Sequence, residues 1–181
     1  MAKILAIMAS AEIAWNTDTI LNSVLKKLPK NSYEKIILKE VDIEYYSHKY
    51  RYSKLEEVQF LGLIEKIKSA EILLIATPTY NFWVPAKLKN LIDRIWFISL
   101  NYKKVNKFWQ PEWILGKKTY FLVTWWASNL TQKFLFMLYP IFWLRFIFAY
   151  YWAKNIWKIY IWWLSYTNHI KNIKNQNISI K

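Results

Sequence analysis

Ala70-Glu71-Ile72-Leu73-Leu74-Ile75-Ala76-Thr77-Pro78-Thr79-Tyr80-Asn81-Phe82-Trp83-Val84-Pro85-Ala86-Lys87-Leu88-Lys89-Asn90-Leu91-Ile92-Asp93-Arg94-Ile95 is the stretch that decides the fold. Ile72 to Ala76 is a short, unbroken apolar run that stops at a Pro-containing turn, which predicts a strand covered on both faces. Beyond the turn, Val84, Leu88, Leu91, Ile92 and Ile95 recur at helical spacing while Lys87, Lys89 and Asn90 point away. That pattern predicts an amphipathic helix with Pro85 in its first turn. Strand, loop and helix in this order form half of a βαβ unit. Ligands of open α/β sheets sit beyond the carboxyl ends of the strands, so Thr77 to Trp83 lies where a ligand would be held.

Four more segments read as strands of the same sheet. Lys3 to Met8 is an apolar run at the start, as the central strand of a doubly wound sheet would be. Glu34 to Asp42 contains Ile36, Ile37, Leu38 and Val41, and Thr119 to Thr124 and Ile156 to Ile161 supply the fourth and fifth. Between them, Ile20, Leu21, Val24, Leu25 and Leu28 mark a first helix. Leu55, Val58, Leu61, Ile64 and Ile67 mark one face of a second, spanning Leu55 to Lys68. Glu44 to Ser53 is a polar, tyrosine-rich connection, and Trp96 to Trp113 a longer one. Five strands alternating with helices predict a single α/β domain over residues 1–181, with helices on both faces of the sheet.

The 181 residues are enough for one sizeable core. There are no cysteines, which excludes a disulfide scaffold and thiol catalysis, and two separated histidines argue against a zinc site. The opening Met1-Ala2-Lys3 is followed by too short an apolar run for a signal peptide, so a cytoplasmic protein is expected. The net charge of +14 is spread along the chain together with Ile, Asn, Tyr and Phe, residues with A/T-rich codons. Base composition therefore accounts for it better than a nucleic-acid surface, which would cluster its charge. The segment Phe134 to Tyr151 is apolar enough to weigh as a membrane span. Pro140 and Arg145 in its middle argue against one.

Ser10 to Thr19, between the first strand and the first helix, is a short polar loop in which Asn16 and Thr17 serve equally well as a helix cap or as anion ligands. Here a resemblance adds to the reading. Pro78, Tyr80, Asn81, Phe82, Pro85, Ala86, Leu88, Lys89, Asn90, Ile92 and Asp93 match the pattern Pro-x-Tyr-Asn-Phe-Gly-x-(Pro/Ser)-Ala-x-Leu-Lys-Asn-x-Ile-Asp. The chain thus resembles the flavodoxin-like NAD(P)H-dependent FMN reductase, quinone reductase and azoreductase group. Ser10, Asn16 and Thr17 fall on that group's phosphate loop, Glu112 to Lys118 on its Glu-Gly-(Leu)-Leu-x-Gly-Lys-Lys stretch, and Leu144 to Phe148 on a further helix entry.

The resemblance implies a five-stranded parallel sheet of order 2-1-3-4-5 and FMN as cofactor. It implies that NADH or NADPH reduces a small-molecule acceptor, a quinone, an azo compound or flavin, by ping-pong hydride transfer, with no side chain as nucleophile and no metal. Ser10, Asn16 and Thr17 would hold the phosphate. Pro78, Thr79, Tyr80, Asn81, Phe82 and Trp83 would line the ribityl chain and ring, and Thr124, Trp125 and Trp126 would meet the pyrimidine edge. A homodimer is expected, with the apolar segment 134–151 as a contact. Other classes remain open: a flavodoxin-type electron carrier, or a non-enzymatic or membrane-associated protein.

The chain departs from the group's pattern in one consistent way. Trp15, Trp83, Trp113 and Trp125-Trp126 stand on positions that are glycine in the group, and Trp152 and Trp162-Trp163 stand where a helix end and a turn would favour glycine. The chain holds 12 Trp and only 2 Gly, whereas a chain of this length averages about 13 glycines. The two counts together approach that average. This leads to the expectation that a code reading UGA as glycine underlies most of the Trp letters; if the Trp residues are genuine, indoles at 15, 83 and 125 fill the cofactor space.

Overall fold

The computed structural model describes residues 4–13, 16–47, 58–80, 83–105, 111–113, 118–125 and 156–163. The order of elements is β1 (Ile4–Met8), α1 (Asn16–Leu25), β2 (Tyr33–Ile37), a 3-10 turn (Leu38–Glu40), α2 (Val58–Ser69), β3 (Ile72–Pro78), α3 (Ala86–Ser99), β4 (Leu100–Val105), β5 (Pro111–Trp113), β6 (Lys118–Trp125) and β7 (Ile156–Trp163). Five strands form one sheet in the order β2-β1-β3-β6-β7, every pair parallel. This is the expected 2-1-3-4-5 arrangement, β6 and β7 being its fourth and fifth strands.

The continuous apolar runs are explained by what covers each face. Successive residues of a strand point to opposite sides. Ile4, Ala6, Met8, Ile72, Leu74, Ala76, Tyr120 and Leu122 pack under Ile20, Leu21, Val24 and Leu25 of α1. The alternate set, Leu5, Ile7, Leu73, Ile75, Phe121 and Val123, packs under α2 and α3. All seven residues of β3 are buried. Burial of each such Leu or Ile contributes roughly 1.5–3 kcal/mol, so the central strands anchor both layers at once.

Several boundaries differ from the sequence reading. The second strand stops at Ile37 instead of continuing to Asp42, because its partner β1 ends at Met8, opposite Ile37. Leu38 then turns into the core, and Lys87 Nζ caps the turn by donating to Lys39 O at 2.8 Å. On α2 the buried positions are Phe60, Leu63, Ile64 and Ile67, while Leu61 is 44% exposed, so the helix is rotated from the expected face. Pro85 precedes α3 and accepts its first intrahelical bond, from Lys89 N–H at 3.0 Å. That helix runs on to Ser99, and the stretch read as a plain connection contains an antiparallel pair, β4 with β5. Trp162 and Trp163, read as a turn, extend β7 alongside Thr124 and Trp125. The segment 134–151, Leu55, Trp15, Asn81, Phe82, Trp126 and Trp152 lie outside the described residues. Among the described residues no helix is long and apolar enough to cross a membrane.

Candidate functional site

The sheet register brings three turns to one rim. Met8, the last residue of β1, is level with Ala76 of β3. Pro78, the last residue of β3, is level with Thr124 of β6. The residues following all three therefore emerge at the carboxyl ends of neighbouring parallel strands, and Ala9 N–H donates to Ala76 O at 2.8 Å to hold the first exit beside the second.

Direct contacts then join the turns. In the first, Ser10 is 4% exposed, and its Oγ accepts from Glu12 N–H at 3.1 Å. A hydroxyl that takes the amide two residues on forms a local turn without glycine. The same Oγ lies 3.3 Å from Tyr80 Oη of the second turn. Thr79 N–H donates to Thr124 O at 2.9 Å, and Thr79 Oγ1 donates to the same oxygen at 3.3 Å. Thr17 Oγ1 and Thr124 Oγ1 are 2.7 Å apart, both groups buried. Thr124 thus touches both other turns, through its hydroxyl and through its carbonyl.

The second turn is tight. Tyr80 and Trp83 exchange N–H···O bonds in both directions, at 2.8 and 2.9 Å. Trp83 packs, half-buried, against the core beneath α2 and α3. Tyr80 remains 41% exposed, so an aromatic surface stands open beside Ser10. Trp83, Trp113, Trp125, Trp162 and Trp163 do not occupy the left-handed region; Asn31, at φ 69°, is the non-glycine residue of the described set that does. Backbone conformation therefore does not demand glycine at those five positions.

Asn16 opens α1, with Thr17 and Asp18 in the first turn, where amide N–H groups lack intrahelical acceptors and the helix dipole is positive. Asp18 would oppose an anion there, but its carboxylate is engaged by Lys35 Nζ at 2.5 Å and Asn22 Nδ2 at 3.1 Å. Lys35 also donates to Asn22 Oδ1 at 2.8 Å, which closes the cluster. The arrangement offers neutral donors, a helix N-terminus and an exposed ring; of the sequence-derived site residues it brings Ser10, Asn16, Thr17, Pro78, Thr79, Tyr80, Trp83, Thr124 and Trp125 to one rim. Among the described residues no group of three or more His, Asp or Glu is placed to hold a metal.

Two polar residues with a structural part behind the rim escaped the sequence reading. Asn90, expected to point away from the core, is 6% exposed. Its Nδ2 donates to Glu44 O at 2.9 Å, and its Oδ1 accepts from Tyr46 N–H at 2.7 Å. Arg94, one turn on and 2% exposed, donates through Nη1 to Glu44 O at 3.2 Å and lies 4.0 Å over the Phe60 ring. The available signal was their i, i+4 spacing beside the apolar stripe.

The family described as NADPH-dependent FMN reductase matches residues 2–144. An FMN-dependent NADH:quinone oxidoreductase of Thiobacillus denitrificans is 42% identical over 62 residues, which is 34% of this chain and 29% of that protein. A namesake from Vibrio parahaemolyticus is 49% identical over 41 residues, 23% of this chain and 21% of that one. The aligned stretch thus spans less than a third of the length of these curated relatives. Among solved structures, an FMN-dependent NADH-azoreductase from Bacillus anthracis in complex with FMN superposes with a TM-score of 0.66 at 18% identity, covering 96% of this chain and 94% of the other. At that identity the likeness carries the fold alone.

Proposed function

Because the chain belongs to the NADPH-dependent FMN reductase family, we propose that it holds FMN at the three joined turns and works as an FMN-dependent NAD(P)H oxidoreductase on a small-molecule acceptor, a quinone, an azo compound or flavin. The observation that supports this most is Thr124, which contacts Thr17 of the first turn and Thr79 of the second. The donor set fits the cofactor. Ser10, Asn16, Thr17 and the start of α1 would hold the phosphate by hydroxyls, backbone amides and the helix dipole. Pro78, Thr79, Tyr80, Asn81, Phe82 and position 83 would flank the ribityl chain and ring, and positions 125 and 126 would face the pyrimidine edge. Bound FMN would supply the redox chemistry by taking electrons from NADH or NADPH and passing them to the acceptor in separate half-reactions. The protein's part is to bind, orient and shield, so no nucleophilic side chain is needed. A cytoplasmic homodimer with residues 134–151 at its contact completes the reading.

We further infer that positions 15, 83, 113, 125 and 126 are glycine in the natural polypeptide. This rests on 12 Trp against 2 Gly and on the glycine that the family pattern carries at each of the five. Indoles at these positions take up volume that glycine leaves free for a flat ligand.

The test is direct. The chain, made with Trp and with Gly at those five positions, is titrated with FMN and assayed for NADH and NADPH oxidation with a quinone in excess. Flavin binding with acceptor-dependent turnover by at least one form is expected. Flavin binding without turnover points to an electron carrier, and no flavin binding by either form removes the proposal.

A further inference from the structure

The Thr17–Thr124 contact holds more information than proximity. Two hydroxyls 2.7 Å apart share one hydrogen bond, which uses one of their two protons. Thr17 is 3% and Thr124 4% exposed, and among the described residues neither hydroxyl has a further acceptor. A buried hydroxyl proton without an acceptor is costly, so the direction of the shared bond decides which residue carries the demand. The surroundings of the two are unequal. Thr124 is a junction whose carbonyl already holds Thr79 N–H and Oγ1–H. Thr17 sits in the first turn of α1, among free amide donors at the positive end of the helix, where an anion is favoured. The neighbouring carboxylate of Asp18 is already engaged by Lys35 and Asn22.

We propose that Thr124 donates its hydroxyl proton to Thr17, leaving Thr17's own proton for an oxygen of the FMN phosphate. This makes Thr124 a positioning residue for the phosphate end, in place of the pyrimidine-edge ligand the sequence suggested. The inference rests on the FMN reading above. A hydroxyl that accepts a hydrogen bond is polarised into a stronger donor, so the pair acts as a short relay from β6, through α1, to the anion.

Riboflavin provides the discriminating probe, since it shares the ring and ribityl chain with FMN and lacks the phosphate. FMN and riboflavin are titrated into T124V, T124S, T17V and the T17V/T124V double variant, built on whichever spelling of positions 15, 83, 113, 125 and 126 binds FMN. T124V is expected to bind FMN about fivefold more weakly and riboflavin within about twofold of the parent, because the Thr17 donor is no longer oriented and polarised by its partner, while T17V, which removes the donor itself, loses about tenfold. T124S restores FMN binding, and the double variant is no weaker than T17V alone. Equal losses for both ligands in T124V, an unchanged affinity for FMN, or additive single losses each overturn the relay. If T124V does not fold, T124A replaces it with the same split expected. Failure of every parent form to bind FMN is a different result: it removes the cofactor reading, and the relay with it.

Discussion

Tyr46 and Asn90 lie 44 residues apart in sequence, and the Tyr46 N–H donates to Asn90 Oδ1 at 2.7 Å. The other end of the same amide donates to Glu44 O, so one side chain on α3 (Ala86–Ser99) satisfies two backbone groups of the segment that follows β2. That segment has no sheet partner among the described residues, so its backbone groups take a side chain as partner instead. Asn90→Leu is expected to lower stability by about 1–3 kcal/mol, read as a shifted urea midpoint with an unchanged slope. A midpoint equal to the parent's sinks the idea that this amide holds the segment.

The rotation of α2 (Val58–Ser69) about its axis is open to a paired test. Phe60 is fully buried and faces Arg94, whereas Leu61 is 44% exposed. Phe60→Ala should cost about 3–5 kcal/mol, and Leu61→Gln should remain within about 0.5 kcal/mol. Thermal melts of the two variants decide it. The reverse ranking would restore the face the sequence pattern suggested.

Lys35 on β2 and Asp18 on α1 form a pair whose side chains are 23% and 10% exposed. Removing the cation leaves a largely buried carboxylate at the start of a helix. Lys35→Met should destabilise by about 1–3 kcal/mol, less than for a fully buried pair because Lys35 keeps some solvent. Adding Asp18→Asn should recover most of that loss. A double-variant cycle by chemical denaturation measures the coupling, and a double variant no more stable than K35M contradicts it.

The spelling of the chain makes its own prediction. Codons for positions 15, 83, 113, 125 and 126 should be UGA, and peptides of the protein from its natural source should carry glycine there by mass spectrometry. UGG codons or tryptophan-bearing peptides end the proposal. In parallel, the glycine form should bind FMN more tightly than the tryptophan form. Equal and tight binding by both would show that indoles leave the cofactor space open.

Much of the fold was legible because its signals are local. Ile4–Met8 and Ile72 to Ala76 are unbroken apolar runs, which only a strand covered on both faces accommodates in so few residues. Val84, Leu88, Leu91, Ile92 and Ile95 predicted the buried face of α3 and are all buried. Less legible were features set by a distant partner. The end of β2 is decided by the length of β1 beside it, and the exposure of Leu61 by which residues of α2 face the sheet.

Residue types and spacing alone determined an α/β chain with polar turns after its first and third sheet strands, since periodicity and turn chemistry are written residue by residue. Only the tertiary structure decided that Thr124 binds back to Thr17 and Thr79, and that Asn90 faces inward to Glu44 and Tyr46. The physical reason is that a hydroxyl or an amide can bond equally well to water, to a ligand or to a backbone group. Which of these it meets depends on strand register and helix rotation, quantities that arise when the whole sheet assembles.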